Sequence, residues 1–74
     1  MNPVRDYIVM YYTYLLQSKR NGIWYTGSTN NLRKRLKLHN NGESTYTKRH
    51  RPYEIIYYEA CSNEEDAKSR EVFL

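Results

Sequence analysis

Residues 6–17 read DYIVMYYTYLLQ, a stretch dense in aromatic and β-branched side chains. These residue types favour an extended backbone, and so apolar a run is typical of a strand with neighbours on both sides rather than an exposed edge. The sequence therefore predicts a central β-strand. Alternation divides its side chains between two faces, the first with Tyr12, Tyr14 and Leu16 and the second with Tyr11, Thr13 and Leu15.

The next segment predicts a hairpin followed by a helix. An Asn-Gly pair within residues 18–22 indicates a turn, and residues 23–27 form a short aromatic strand, so we expect the two strands to pair antiparallel. Residues 31–39 then show helical spacing of leucines, and the Asn-Asn-Gly run at 40–42 ends them. The candidate N-caps of this helix are Ser28, Thr29 and Asn30.

The last third of the chain predicts a strand and a helix. Pro52 blocks helix formation, and residues 53–60 alternate as a third strand, with Ile55 and Tyr57 on one face. Ser62 and Glu65 have capping-box spacing, which opens a second helix. The predicted fold class is therefore α+β, a three-stranded antiparallel sheet flanked by helices in the order ββαβα.

Length and composition limit the kinds of protein that this chain can be. A chain of 74 residues and 9.0 kDa makes one small domain. The lone Cys61 excludes an internal disulfide, which favours a reducing compartment. Neither a run of about 20 apolar residues nor a signal peptide is visible. We therefore expect a cytoplasmic protein with no membrane association.

The charge of the chain is unevenly distributed. Residues 1–53 have ten Lys and Arg against two acidic residues, whereas residues 54–74 have two against six. The first part is strongly basic, which favours a polyanionic partner, and nucleic acid fits better than a membrane because no basic amphipathic helix with large apolar residues is present. The alternative is that these cations only keep the protein dispersed.

The first predicted helix places two polar residues on its apolar face. At 100° per residue from Leu32, His39 falls at about −20° and Arg35 at about −60°, on the side that should meet the sheet. A guanidinium is rarely placed there unless it is paired or lines a polar site. Arg35 alternatively extends to the rim or pairs with a carboxylate, and His39 alternatively packs in the core or caps the helix.

The second predicted helix has a carboxylate in the same kind of position. Glu71 shares the apolar stripe of Ala67, so it needs a cation, which is Arg35, Arg70 or a metal ion. Without a His/Cys cluster, zinc is excluded in practice, and any metal is a hard ion such as Mg²⁺ held by one protein oxygen. No spacing supports a nucleophilic triad.

Two tyrosines complete a candidate set for phosphate chemistry. Tyr14 and Tyr25 lie eleven residues apart on strands that we expect to pair, so both phenols reach one side of the sheet unless they are only core aromatics. Phenols, a guanidinium, an imidazole and a carboxylate in a basic domain provide a proton acceptor, a charge stabiliser and a metal ligand.

These residues together resemble a known family. Tyr12-Thr13-Tyr14, ten intervening residues, Tyr25-Thr26-Gly27, then Arg35, His39 and Arg70-Glu71 are similar to the GIY-YIG nuclease domain over almost the whole chain. The likeness is greatest to the small stand-alone bacterial members and to the N-terminal nuclease domain of the excision-repair endonuclease. This resemblance implies the same α+β fold and hydrolysis of DNA phosphodiester bonds with Mg²⁺ or Mn²⁺.

The resemblance also implies roles for individual residues. Tyr14 would be the general base, Tyr25 would orient the attacking water or the phosphate, and Arg35 would neutralise charge at phosphorus, with His39 one turn later and Glu71 as the metal ligand. Six further cations would bind the DNA backbone, namely Arg33, Lys34, Lys37, Lys48, Arg49 and Arg51.

The sequence departs from the family pattern in two motifs and at its end. Tyr-Thr-Tyr replaces Gly-Ile-Tyr, and Thr26 replaces the usual Ile or Val. The family's last helix, with a polar active-site residue, has no counterpart before Leu74, so residues 1–74 are expected to form one GIY-YIG-like domain that lacks it. The prediction is a DNA endonuclease of repair or recombination, with a further protein partner or domain left open. The alternative is a catalytically inactive nucleic-acid-binding or interaction module of the same fold.

Overall fold

A computed structural model describes residues 9–74 of the chain and gives the order ββαβα, as predicted. Residues 6–8 of the first predicted strand lie outside the described residues. Within the described part, no helix has the length and apolar character needed to cross a membrane. The elements are β1 (Tyr11–Ser18), β2 (Trp24–Thr29), α1 (Leu32–Asn40), a 3-10 turn (Lys48–His50), β3 (Tyr53–Cys61) and α2 (Glu64–Glu71).

The first strand is the central strand of the sheet, as its apolar sequence predicts. The strand order is β2-β1-β3, and both pairings are antiparallel. Tyr14 lies opposite Gly27 on β2 and opposite Tyr58 on β3. Since paired residues point to the same face, this register determines which side chains surround Tyr14.

A β-bulge in β3 contradicts the simple alternation predicted for that strand. Leu15 pairs with Tyr57, whereas the next residue, Leu16, pairs with Ile55, so one residue of β3 is left over. The extra residue reverses the faces beyond the bulge, because side chains alternate with a period of two. Ile55 therefore lies on the face of Tyr14 and Leu16, opposite to the face of Tyr57.

The core lies between α1 and one face of the sheet. Its buried cluster consists of Tyr14, Leu16 and Tyr53, and partly buried apolar side chains from β2, β3 and α1 pack around it. Those side chains are Tyr25, Leu32, Leu36 and Ile55. The α1 residues are on the helix face that the 100° spacing predicts, because burial of an apolar stripe is what attaches an amphipathic helix to a sheet.

The second helix is attached to residues of the other face of β1. The Thr13 hydroxyl donates a hydrogen bond of 2.6 Å to the carbonyl oxygen of Ala67, which is itself buried. Beside it, Arg70 forms an ion pair of 2.7 Å with Glu59, the residue opposite Thr13 on β3. These contacts fix the position of the last turn of α2.

Both N-cap predictions are wrong, because each helix is capped by the residue after the last predicted candidate. Asn31 caps α1 by accepting a hydrogen bond from the Lys34 amide, because β2 continues to Thr29 instead of ending at Gly27. Asn63 caps α2 by accepting from two amides of the first turn, which leaves Ser62 outside the helix. In each case an asparagine side chain satisfies free amides at the helix start.

Candidate active site

Tyr14 is the most deeply buried tyrosine among residues 9–74, with 2% of its surface exposed. Its ring lies over Gly27 on the neighbouring strand. A Cβ atom at Gly27 would overlap the Tyr14 hydroxyl and would lie 2.6 Å from Cζ. The glycine is therefore required here by space and not by backbone conformation, since its φ is not positive.

His39 at the end of α1 contacts Tyr14 directly. The imidazole Nε2 lies 3.2 Å from the Tyr14 hydroxyl oxygen, and Nδ1 lies 2.7 Å from the Thr47 hydroxyl oxygen. Only 1% of the histidine surface is exposed. His39 therefore packs in the core, which was one of the alternatives for it, and there it is hydrogen-bonded to Tyr14.

Three tyrosine rings surround this imidazole. The ring centroid of Tyr25 lies 5.2 Å from that of His39, and the centroids of Tyr14 and Tyr53 each lie 6.2 Å away. Tyr25 is half-buried, on the same face as Tyr14. The expectation that the two motif tyrosines share one side of the sheet is met, and His39 lies between them.

Arg35 is half-buried on the sheet side of α1, whereas the other three cations of the helix, Arg33, Lys34 and Lys37, are exposed. The charge of Arg35 acts on both Tyr14 and His39. In the described chain its guanidinium has no ion-pair partner, so the carboxylate pairing considered for it is not observed. Its charge thus remains available to an anionic ligand.

Burial dominates the protonation of the Tyr14–His39 pair. The pKa of Tyr14 is raised to about 12, mainly because the phenol loses solvent; the charge of Arg35 opposes this rise, and Tyr25 and Glu71 add to it. Loss of solvent also lowers the pKa of His39, and Arg35 adds to this effect. The free protein therefore has a neutral phenol hydrogen-bonded to a neutral imidazole at pH 7.

Glu71, half-buried at the end of α2, is close enough to Tyr14 for its charge to raise the pKa of the phenol. Of the cations considered for it, Arg70 instead binds Glu59, and Arg35 makes no ion pair within residues 9–74. Among these residues there is no group of three His, Cys, Asp or Glu side chains that could hold a metal ion. The Glu71 carboxylate is thus a single hard oxygen donor near the phenol.

A cleft of about 310 Å³ opens beside Arg35. It is bounded by the end of β2, the start of β1 and the first turns of α2, and a smaller cavity of about 150 Å³ also includes Arg35. Neither cavity is lined by Tyr14, Tyr25 or Glu71. Of the predicted catalytic residues, Arg35 is the one that lines these two cavities. The larger cleft is lined by Tyr11, Ser28, Thr29, Asn30, Arg35, Glu64, Ala67 and Lys68.

The cations predicted to bind DNA are all exposed and lie on two segments. Arg33, Lys34 and Lys37 are on α1, whereas Lys48, Arg49 and Arg51 are in and after the 3-10 turn. The guanidinium of Arg51 lies over Gly42, just beyond the end of α1. This contact places Arg51 near the C-terminal end of α1, where His39 of that helix is hydrogen-bonded to Thr47.

Three buried or half-buried residues of this region are not indicated by the sequence. Thr47 is fully buried against His39, Tyr53 packs on the same ring, and Asn40 bonds both backbone groups of Tyr53 at 2.6 and 3.1 Å. No local pattern marks Thr47, because a single threonine in a polar loop has no periodic context. The pattern around Asn40 indicates only the end of a helix.

Comparison with known proteins identifies the family of this chain. The family model of the GIY-YIG catalytic domain matches residues 10–74. A UPF0213 protein of Clostridium perfringens is 44% identical over 66 residues, and UPF0213 protein YazA of Bacillus subtilis is 41% identical over 65 residues. These alignments cover 88% and 86% of this chain but 70% and 65% of the relatives, so the chain spans about two thirds of their length.

A solved structure shows the same fold. The solution NMR structure of a UPF0213 protein from Bacillus halodurans is 32% identical, with a TM-score of 0.50, and the match covers 86% of this chain and 68% of that protein. The chain therefore belongs to the GIY-YIG nuclease family, as a small domain similar to the UPF0213 proteins.

Proposed function

We propose that this domain is a divalent-metal-dependent endonuclease that hydrolyses DNA phosphodiester bonds. The observation that most supports it is the buried Tyr14–His39 pair within reach of the charges of Arg35 and Glu71. A cation and a carboxylate both close enough to change the pKa of a buried phenol are unusual neighbours for a purely structural tyrosine. We assign the activity to DNA repair or recombination in the cytoplasm.

The reaction assigns a separate task to each side chain. A water oxygen attacks phosphorus, the bond to the leaving oxygen breaks, and the water proton passes to the Tyr14 oxygen in its phenolate form. With a pKa of about 12 the phenolate is the minor form at neutral pH, and Arg35 is the neighbour that stabilises it. Arg35 also neutralises charge that develops on the phosphate, and Tyr25 orients the water.

The residues present fit a hard divalent cation. Glu71 offers a half-buried carboxylate with no ion-pair partner in the described residues, and oxygen ligands of this type suit Mg²⁺ or Mn²⁺ that keeps most of its coordination for water and phosphate. Such an ion supplies charge stabilisation at the leaving oxygen.

The exposed cations would bind the DNA strand next to this site. Three of them belong to residues 33–37 of α1 and three to residues 48–51, and all six are exposed. Contacts of this kind give affinity that falls with salt and do not read the base sequence. The cleft beside Arg35 offers space for the part of the DNA next to the reacting phosphate.

The decisive experiment compares Arg35→Ala with the matched control Arg33→Ala, since both remove one arginine from α1 but only the charge of Arg35 acts on the phenol. Supercoiled, branched and flapped DNA are incubated with each protein in Mg²⁺, in Mn²⁺ and in chelator. Arg35→Ala is expected to lose cleavage and keep the fold, whereas Arg33→Ala, which removes one expected backbone contact, keeps metal-dependent cleavage at saturating DNA and only raises KM. Retained cleavage by Arg35→Ala would refute the assignment.

A second pair of variants separates an enzyme from a module that only binds DNA. Glu71→Ala should abolish metal-dependent cleavage and keep salt-sensitive DNA binding, and Glu65→Ala, at an exposed position in the first turn of α2, should change neither. Absence of cleavage in the unmodified protein, with DNA binding intact, would indicate the inactive module instead.

A further inference from the structure

We propose that Thr47 is a positioning residue that holds His39 in the tautomer with the proton on Nε2, so that the imidazole donates a hydrogen bond to the Tyr14 oxygen. The chemical meaning of this arrangement rests on the proposed nuclease function, whereas the tautomer itself is independent of it. A neutral imidazole has one donor and one acceptor nitrogen, so the partner of Nδ1 determines what Nε2 can do.

The lengths of the two hydrogen bonds support this assignment. The contact between Thr47 Oγ1 and His39 Nδ1 is 2.7 Å, and the contact between Nε2 and the Tyr14 oxygen is 3.2 Å. Hydroxyl donors give shorter hydrogen bonds than N–H donors, whose usual range extends to about 3.2 Å. The short contact fits donation by the threonine hydroxyl, and the long one fits donation by Nε2–H.

Burial supports the same direction. Each tautomer leaves one hydroxyl hydrogen without an acceptor among residues 9–74: that of Thr47 if Nδ1 has the proton, and that of Tyr14 if Nε2 has it. Thr47 is fully buried, whereas Tyr14 lies within reach of the Glu71 carboxylate. An unpaired hydroxyl hydrogen is costly at the fully buried Thr47, whereas at Tyr14 the negative charge of Glu71 offsets part of that cost.

The tautomer matters because a phenolate oxygen can only accept hydrogen bonds. With Nε2–H in place, the Tyr14 oxygen keeps its partner whether it is protonated or not. With the proton on Nδ1, loss of the phenol proton would place the Nε2 lone pair against a negative oxygen. Thr47 thus makes His39 a stabiliser of the reactive form of Tyr14.

A competing explanation is that Thr47 only fixes the loop. Its amide bonds the carbonyl oxygen of Ser44, and it directly precedes the basic residues Lys48 and Arg49. If Thr47 only anchors the loop, any substitution that leaves a cavity there lowers the stability of the protein, and the hydroxyl hydrogen has no separate effect. Two variants separate the explanations: Thr47→Val keeps the shape and removes the hydroxyl, and Thr47→Ser keeps the hydroxyl and removes a methyl group.

The test is the tautomer of His39 in protein labelled with ¹⁵N-histidine, read from long-range proton–nitrogen NMR correlations. His50, the other histidine of the chain, is assigned with His50→Gln. We expect the Nε2–H pattern in the unmodified protein and in Thr47→Ser, and a shift toward Nδ1–H in Thr47→Val. An Nδ1–H pattern in the unmodified protein, or an unchanged pattern in Thr47→Val, overturns the proposal. If Thr47→Val does not fold, the unmodified protein and Thr47→Ser decide it.

The kinetic consequence is measured on the same proteins. Thr47→Val should lower kcat by about tenfold to a hundredfold with little change in KM for DNA, whereas Thr47→Ser should stay within about threefold of the original. An unchanged kcat together with a changed tautomer overturns the positioning role. If the tautomers are as expected and the unmodified protein cleaves no DNA, the nuclease function fails and the tautomer assignment stands.

Discussion

A single added methyl group at Gly27 tests the packing that positions the reactive phenol. The Cβ atom of Gly27→Ala would overlap the Tyr14 hydroxyl and lie 2.6 Å from Cζ, so the ring of this buried residue must move. Because the ring is packed within the buried core cluster, the displacement also disturbs the contact between Tyr14 and His39. The variant is therefore expected to affect stability and cleavage together.

The magnitude follows from three contributions. Overpacking of a filled core costs about 1–3 kcal/mol, and loss of the Tyr14–His39 hydrogen bond costs about 0.5–1.5 kcal/mol. Alanine offsets about 0.4–1 kcal/mol of this by restricting the unfolded chain, because the φ of Gly27 is not positive. We expect Gly27→Ala to lower the free energy of unfolding by about 0.5–4 kcal/mol.

The assay is urea unfolding followed by circular dichroism, together with cleavage of supercoiled DNA in Mg²⁺. Gly22→Ala is the matched control: its φ is +79°, which costs alanine about 1–2 kcal/mol, but the nearest atom to its Cβ is Gln17 Nε2 at 3.8 Å, far from the phenol. Both variants should lose stability, and only Gly27→Ala should lose cleavage. Full cleavage in Gly27→Ala, or an equal loss in Gly22→Ala, would contradict the reasoning.

Three further predictions concern the support of the site. Asn40→Ala removes both side-chain hydrogen bonds to the Tyr53 backbone and should lower the free energy of unfolding by about 1–3 kcal/mol in urea titrations; a loss below the experimental error would count against it. Arg70→Ala removes the hydrogen bonds that hold the pKa of Glu59 below its ordinary value, so carboxyl titration by NMR should show that pKa rising, and no rise would exclude this pairing in solution. Burial lowers the pKa of His39, so the stability contributed by the neutral imidazole is present above its ordinary pKa of 6.5 and is lost as pH falls through the lower folded value. In urea unfolding below pH 6.5, the free energy of unfolding should therefore fall less with pH in His39→Gln than in the original protein. An equal fall in both proteins would contradict the lowered pKa of His39.

Helical spacing is sufficient to identify the inner face of α1. The rotation of 100° per residue places Leu32, Leu36, Arg35 and His39 on one side, and all four are buried or half-buried. The same arithmetic leaves Arg33, Lys34 and Lys37 exposed, as they are. This part of the site was predictable because a helix repeats the same geometry at every residue.

The third strand shows where local pattern fails. The bulge between the partners of Leu15 and Leu16 moves Ile55 to the face of Tyr14, and nothing in the alternation of residues 53–60 indicates it. A bulge is a property of how two strands match, so it depends on a partner that is far away in the sequence. The same is true of Thr47, whose contact with His39 crosses a loop.

The sequence by itself determined the order of elements, the central position of β1, the basic character of the first part of the chain and the family to which the motifs belong. These properties follow from residue type and spacing along one segment. Only the tertiary structure decided which partners the polar residues have: Glu59 rather than Glu71 for Arg70, and Thr47 for His39. Hydrogen bonds and ion pairs of this kind require atoms to meet within about 3 Å, and that distance is fixed by how the elements pack and not by the sequence of either one.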